Sequence, residues 1–221
     1  MTSMTRTRIK ICGITRPQDL AAAVAAGADA IGLVFYPKSP RYVAPELARE
    51  LSRQLPPFVT AVGLFVNQEA ALVRDISRRA GIELLQFHGD EPPEYCEQFE
   101  IPYIKAARVT SAFDLLKFAA HYKTARGILL DAFVEGFGGG GEVFDWDLIP
   151  KDVAARGVRF VVSGGLRPSN VGAGIRCLRP FGVDVSSGVE SAKGIKDAAL
   201  IHQFVSAVRT ADAELNQDPP T

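Results

Sequence analysis

The chain has 221 residues, room for one large domain, and 47% of them are hydrophobic, enough to fill a sizeable core. Its 25 Lys+Arg balance 25 Asp+Glu, so no net field draws it to nucleic acid or to an anionic membrane. Its cysteines, Cys12, Cys96 and Cys177, are odd in number and lack CxxC spacing, which argues against a disulfide framework and for a reducing, cytoplasmic setting.

Residues 1–7 read as a flexible N-terminal extension without the apolar run of a signal peptide. "RIKIC" (8–12) alternates apolar and basic residues like a strand, and it ends on a thiol followed at once by Gly13. "PQDLAAAVAA" reads as a helix with Thr15 as a possible cap upstream and Pro17 near its first turn. The apolar stretch 20–36 is broken by two glycines and Asp29, and is shorter than the roughly 20 residues of a spanning helix. "NQEAALVRDISRRA" predicts a helix with Asn67 as N-cap, and "IKDAALIHQFVSAVRTA" predicts the last one. Between helices, Gly27, Gly81, Gly127, Gly157 and Gly182 each read as a helix end before an apolar strand. Pro56-Pro57 and Pro102 mark two more strand starts, and these markers recur 21–30 residues apart. With "RIKIC" in front there are eight strand–helix units. Near-continuous apolar strands imply parallel pairing covered on both faces, and eight units close into a single (β/α)8 TIM barrel over residues 8–209. An open doubly wound sheet is the second choice. Residues 210–221 read as a disordered tail.

In a barrel, chemistry sits on the loops after the strands. The seventh and eighth strands end in Ser163-Gly164-Gly165 and Ser186-Ser187-Gly188, whose exposed N–H groups suit a phosphate. Tight turns are the plain alternative. Cys12 is either a small buried filler or a thiol at the barrel mouth. Asp131, ending "GILLD", is either a capping group or an acid at the same mouth. Five glycines within 136–141 around Phe137, with Phe144 and Trp146 beyond, have the makings of a lid. The G-x-G-x-x-G at Gly136, Gly138 and Gly141 does not sit between a strand and a helix, so a dinucleotide site is rejected. His88 falls at the fourth strand's end, within reach of a ligand. His121 and His202 fall on helices, and no spacing among the three suggests a metal. Arg41, between Pro40 and Tyr42 on a stiff loop, suits a carboxylate or is a solvated charge.

Taken together, "KICGIT", "GLVFYPKSPRY", "VGLFVN", "QFHGDE", "LLDAF…FDW", "SGGL" and "RPFGVDVSSGVE" resemble the phosphoribosylanthranilate isomerase family of tryptophan biosynthesis, from about residue 8 to residue 209. The resemblance implies a cofactor-free Amadori rearrangement of a phosphosugar–anthranilate substrate by a monomer or weak homodimer. It implies Cys12 as general base and Asp131 as general acid, with Arg41 on the anthranilate carboxylate. It further implies Asp184 near the sugar, and phosphate on Gly164, Gly165, Ser186, Ser187 and Gly188. Before "FDW" the chain departs from the family's usual pattern, with Gly138–Gly141 followed by Glu142. The assignment raises a protonation problem. Reference pKa values of about 3.9 for Asp and about 8.5 for Cys leave the acid ionised and the base protonated at neutral pH. Burial under the lid is therefore expected to raise Asp131, and nearby N–H dipoles or cations to lower Cys12. A metal-dependent epimerase and a non-catalytic phospho-ligand barrel are the rival readings; the first needs histidines at strand ends, and only His88 qualifies.

Overall fold

The computed structural model describes residues 6–132, 145–150, 153 and 156–217. Eight parallel strands close into a ring in chain order, which excludes the open sheet. They are β1 (Arg8–Cys12), β2 (Ala30–Val34), β3 (Thr60–Phe65), β4 (Leu84–Phe87), β5 (Tyr103–Val109), β6 (Ile128–Ala132), β7 (Phe160–Val162) and β8 (Gly182–Val185). Around them lie α1 (Pro17–Ala26), α2 (Pro45–Ser52), α3 (Ala70–Ala80), α4 (Pro93–Glu97), α5 (Leu115–His121) and α6 (Val171–Leu178), with α7 (Ala198–Gln217) closing the ring. The main core fills the space between ring and helices, where Ile9, Ile11, Phe35, Phe65, Phe87, Phe160 and Phe204 are fully buried.

Local chemistry explains most of the elements. Pro17 opens α1 at a position where a missing N–H costs nothing. Gly27 ends it at φ 93°, returning its N–H to the carbonyls of Ala23 and Val24. In α3, Val73, Ile76, Ser77 and Ala80 form the buried stripe at helical spacing.

Several details differ from the sequence reading. The N-cap of α3 is Glu69; Asn67 instead turns left-handed at φ 47° and accepts the Asp90 N–H through its side chain. Thr15 donates to the Gly194 carbonyl rather than capping α1. Gly127 and Gly182 are not helix ends. A Cβ at either would meet a neighbouring strand's carbonyl oxygen, Arg159 at 3.1 Å or Arg8 at 3.0 Å, so these glycines allow close strand approach. After β8 the chain makes a 3-10 turn (Ser187–Val189) and a small antiparallel pair, β9 (Glu190–Ala192) and β10 (Ile195–Lys196), so the last helix starts at Ala198.

At the C-terminal end the structure differs from a disordered tail beginning at residue 210. Helix α7 runs to Gln217 with Ala211 and Asp212 buried. The Asp212 carboxylate accepts from the Thr7 N–H at 3.0 Å and from the Thr7 hydroxyl at 2.6 Å. A buried carboxylate with these donors holds both segments in place, a long-range contact that local composition does not display. Residues 1–5 and 218–221 lie outside the described residues. No helix among the described residues is long and apolar enough to cross a membrane.

Candidate active site

Cys12 is the last residue of β1 and lies on the inner face, in a small cluster with Val34, Leu64 and Val66. Two glycines answer for its placement. Gly13 follows at φ 77°, and a Cβ there would stand 2.5 Å from the Arg41 stem. Gly32 is its register partner on β2, and a Cβ there would stand 2.7 Å from the Cys12 sulfur. Backbone without side chains thus clears space for the thiol, and Arg41 folds over the turn that follows it.

Lys10, two residues back on the same strand, shares the inner face with Cys12. Its ammonium lies 2.9 Å from the carboxylate of Asp184, its register partner on β8, and both side chains are almost fully buried. The end of the Lys10 stem lies beside the Cys12 sulfur, since one point, a Cβ on Gly32, would stand 2.7 Å from the sulfur and 3.1 Å from Lys10 Cε. Burial is the largest influence on Cys12 and pushes the thiol above its ordinary value; Asp184 adds to that push, while Lys10 and Lys196 pull against it. The expectation that cations lower Cys12 is therefore overturned in net direction: the cations are present, and burial outweighs them.

Asp131 ends the inward run of β6 with its side chain 13% exposed. Its carboxylate meets the His88 Nε2 at 3.0 Å. On the other side of the ring, Gln86 Nε2 approaches His88 Nδ1 at 3.0 Å. The amide nitrogen can only donate, so in this arrangement Nδ1 accepts and the imidazole carries its proton on Nε2, toward Asp131. The loop carrying His88 is held by Glu91, which accepts from the N–H groups of Asn67 and Gly89 and from Lys105.

Arg41 is committed more than the sequence suggests. Its Nε and Nη2 bind both oxygens of Glu190 at 2.7 and 2.9 Å. Glu190 also takes the Lys196 ammonium at 2.8 Å. Burial pushes this carboxylate up, but Arg41 and Lys196 overcome it and hold it below its ordinary value. Burial lowers Lys196 in turn, against the pull of Glu190.

The two glycine loops meet. Gly164 and Gly165 follow β7 in left-handed conformations, φ 77° and 63°, and their N–H groups donate to no acceptor among the described residues. A Cβ on Gly188 would fall 1.8 Å from the Leu166 carbonyl oxygen, so the loop after β8 lies directly on the loop after β7. Lys196 donates to the carbonyl and hydroxyl of Ser186, fixing the second loop from below.

The structure places Cys12, Asp131 and Asp184 on strands, and His88, Arg41 and both glycine loops on the segments that follow strands. Sequence reading missed Lys10, Gln86, Glu190 and Lys196. For the first two a signal existed, since each stands two residues before a chosen residue on the same strand face. Glu190 and Lys196 carried none, because the β9–β10 pair was read as loop and helix. Cys96 is fully buried and its thiol is pushed to about 12, chiefly by burial, as befits a packing residue. The lid glycines at 136–141, with Phe137 and Phe144, lie outside the described residues; Trp146 is partly buried and packs against Gly174 of α6. Among the described residues no group of three or more His, Cys, Asp or Glu is arranged to hold a metal ion.

Comparison with known proteins gives one answer. The family model described as N-(5′-phosphoribosyl)anthranilate isomerase matches residues 9–207. A protein of that name from Leptothrix cholodnii is 63% identical over 211 residues, covering 96% of this chain and 94% of the relative. One from Dechloromonas aromatica is 58% identical, covering 95% of this chain and 100% of the relative. The crystal structure of the Thermotoga maritima isomerase superimposes with a TM-score of 0.85 at 44% identity, covering 92% of this chain and 99% of that one. A further solved isomerase structure, in complex with reduced 1-(o-carboxyphenylamino)-1-deoxyribulose 5-phosphate, has a TM-score of 0.81 at 41% identity, with the same coverage. The chain, an eight-stranded barrel with paired glycine loops at its mouth, belongs to the N-(5′-phosphoribosyl)anthranilate isomerase family of enzymes.

Proposed function

We propose that the mouth of this barrel performs the Amadori rearrangement of N-(5-phosphoribosyl)anthranilate to 1-(2-carboxyphenylamino)-1-deoxyribulose 5-phosphate, a step of tryptophan biosynthesis, with Asp131 as acid and Cys12 as base. One observation carries the assignment of roles. In the closed ring, β7 and β8 stand between β6 and β1. A phosphate on Gly164, Gly165, Ser186, Ser187 and Gly188 therefore sets the attached ribose between a carboxyl on one side and a sulfur on the other. The product analogue held by a solved relative carries the same three parts: phosphate, open-chain sugar and carboxyphenylamine.

The proton count closes without a cofactor. Asp131 gives a proton to the ring oxygen as the C1′–O bond breaks, and the nitrogen lone pair forms a C1′=N bond. Cys12, as thiolate, takes the proton from C2′; those electrons form C1′=C2′ and neutralise the nitrogen. The enolamine then gains a proton at C1′ and loses one from its 2′ hydroxyl, which returns acid and base to their starting forms. His88 holds the Asp131 carboxyl in place through its Nε2. Arg41 keeps its Nη1, which has no partner among the described residues, for the anthranilate carboxylate while Glu190 holds the rest of the guanidinium. Asp184 stands near the sugar.

The chain works in the cytoplasm, where its three free thiols stay reduced. It is a monomer or weak homodimer; the fully exposed Phe58 and half-exposed Phe181 are the apolar surface a second copy would cover. Sedimentation velocity across a concentration series decides between the two. The catalytic reading is tested by following loss of phosphoribosylanthranilate fluorescence. Cys12→Ala and Asp131→Asn should each lose on the order of 10²–10⁴ in kcat. Turnover retained in both variants would remove the mechanism.

A further inference from the structure

We propose that Lys10 is the positioning residue that makes the Cys12 sulfur usable as a base, by dividing its positive charge between that sulfur and the Asp184 carboxylate. The inference deepens the reading of Cys12 as base and rests on it. A lysine inside a barrel is costly, and an apolar residue of similar length would fill the same space without desolvating a charge. Lys10 is nonetheless almost fully buried, with its ammonium on Asp184 at 2.9 Å and the end of its stem beside the Cys12 sulfur. The neighbouring strand is shaped around this contact. A Cβ on Gly32 would stand 2.7 Å from the Cys12 sulfur and 3.1 Å from Lys10 Cε, so only glycine lets the stem and the sulfur lie side by side.

The charges facing the sulfur reinforce the case. The cations are Lys10, Lys196 and Arg41, and the carboxylates are Asp184 and Glu190. Glu190 answers one of the pair Arg41 and Lys196, and Asp184 answers Lys10. One positive charge is left over, which is the number a thiolate neutralises. Lys10 shares the inner face of β1 with the sulfur, and Asp184 is the group that competes for its charge. Removing the competitor should therefore free the base, and removing the lysine should suppress it.

The test reads the sulfur without substrate. In a Cys96→Ser/Cys177→Ser background, Cys12 is the remaining thiol, and its alkylation by iodoacetamide is followed from pH 7 to pH 10. Asp184→Asn should move the midpoint down and speed alkylation at pH 8 about tenfold, because each unit changes the thiolate fraction about tenfold. Adding Lys10→Met to Asp184→Asn should reverse that gain without leaving a buried carboxylate unpaired. Lys10→Arg, which keeps the charge, should hold the midpoint near the parent value. An Asp184→Asn variant with an unchanged or slower rate, or Lys10→Met and Lys10→Arg with the same midpoint, would overturn the proposal. If the methionine variant fails to fold, as judged by circular dichroism, the Asp184→Asn and Lys10→Arg arms still decide. Failure of the base assignment would show separately, as turnover retained by Cys12→Ala with the alkylation profiles intact.

Discussion

His88 stands between Gln86 and Asp131, 3.0 Å from each, with the amide on Nδ1 and the carboxylate on Nε2. Two hydrogen bonds to opposite sides of one ring fix its orientation, and with the Gln86 amide donating, Nε2–H faces Asp131. Replacing Gln86 with Leu keeps the bulk and removes the donor. kcat for loss of phosphoribosylanthranilate should fall on the order of tenfold, as a positioned proton-transfer group loses its alignment. KM should stay within about twofold, since Gln86 is fully buried behind His88. A matching rise in KM would place Gln86 in binding instead.

Glu190 binds both Arg41 and Lys196, and it is nearly buried. Glu190→Gln leaves two cations short of a partner, a change of roughly 3–5 kcal/mol for a buried pair. At roughly 2–4 °C per kcal/mol for a chain of this size, Tm should fall by about 6–20 °C. The pH sign follows from the direction of the shift. Since the folded carboxylate is held below its ordinary value, it contributes stability above the unfolded value of about 4.3, and this is lost as pH falls through the folded one. Thermal melts between pH 3 and pH 6 should show a smaller acid dependence in Glu190→Gln than in the parent.

Gly188→Ala forces a methyl to within 1.8 Å of the Leu166 carbonyl carbon's oxygen, so the backbone must move. The loops after β7 and β8 would part at the place where phosphate is proposed to sit. KM should rise about tenfold or more, the equivalent of 1.4 kcal/mol, and inorganic phosphate should become a weaker competitive inhibitor. An unchanged phosphate inhibition constant would move the anion site elsewhere.

Burial pushes the Cys12 thiol up, so the thiolate fraction is small at neutral pH and grows with alkalinity. Turnover needs Cys12 ionised and Asp131 protonated at once, so kcat/KM should fall about tenfold per unit above the thiol's pKa, and the upward push sets that fall on the alkaline side of about 8.5. An alkaline fall that begins well below pH 8 would argue against sulfur as the base.

The Thr7–Asp212 contact predicts a stability effect far from the site. Asp212→Ala removes an acceptor from two buried bonds at 3.0 and 2.6 Å. With about 1.5–3 kcal/mol for a hydrogen bond to a charged group, chemical denaturation should show a loss of at least that size. Isomerase activity should be unchanged at low temperature.

The ring of eight strands was legible because each strand is a short apolar run, and because breakers recur at a regular interval. The individual roles of the breakers were less legible. Gly27 and Gly81 do close helices, whereas Gly127 and Gly182 serve strand packing, and both uses look alike as a glycine before an apolar run. Cys12 and Asp131 stood out as strand-end residues at the mouth. Lys10, Gln86 and Glu190 did not, since Lys10 meets Asp184 only through barrel closure, Gln86 reaches Asp131 only through His88, and Glu190 reaches Arg41 across 149 positions of chain. Likewise Asp212 reads as a surface charge near a terminus until Thr7 is placed against it.

The Lys10–Asp184 pair spans 174 positions, and β1 completes the ring only by pairing with β8. During synthesis, the first strand therefore leaves the ribosome carrying its thiol long before the carboxylate that will share its lysine has been made. A nascent chain lacking the last strand has no closed ring and none of the charge arrangement around the sulfur. Non-local closure of this kind slows folding, and here it delays assembly of the base until nearly the whole chain has emerged.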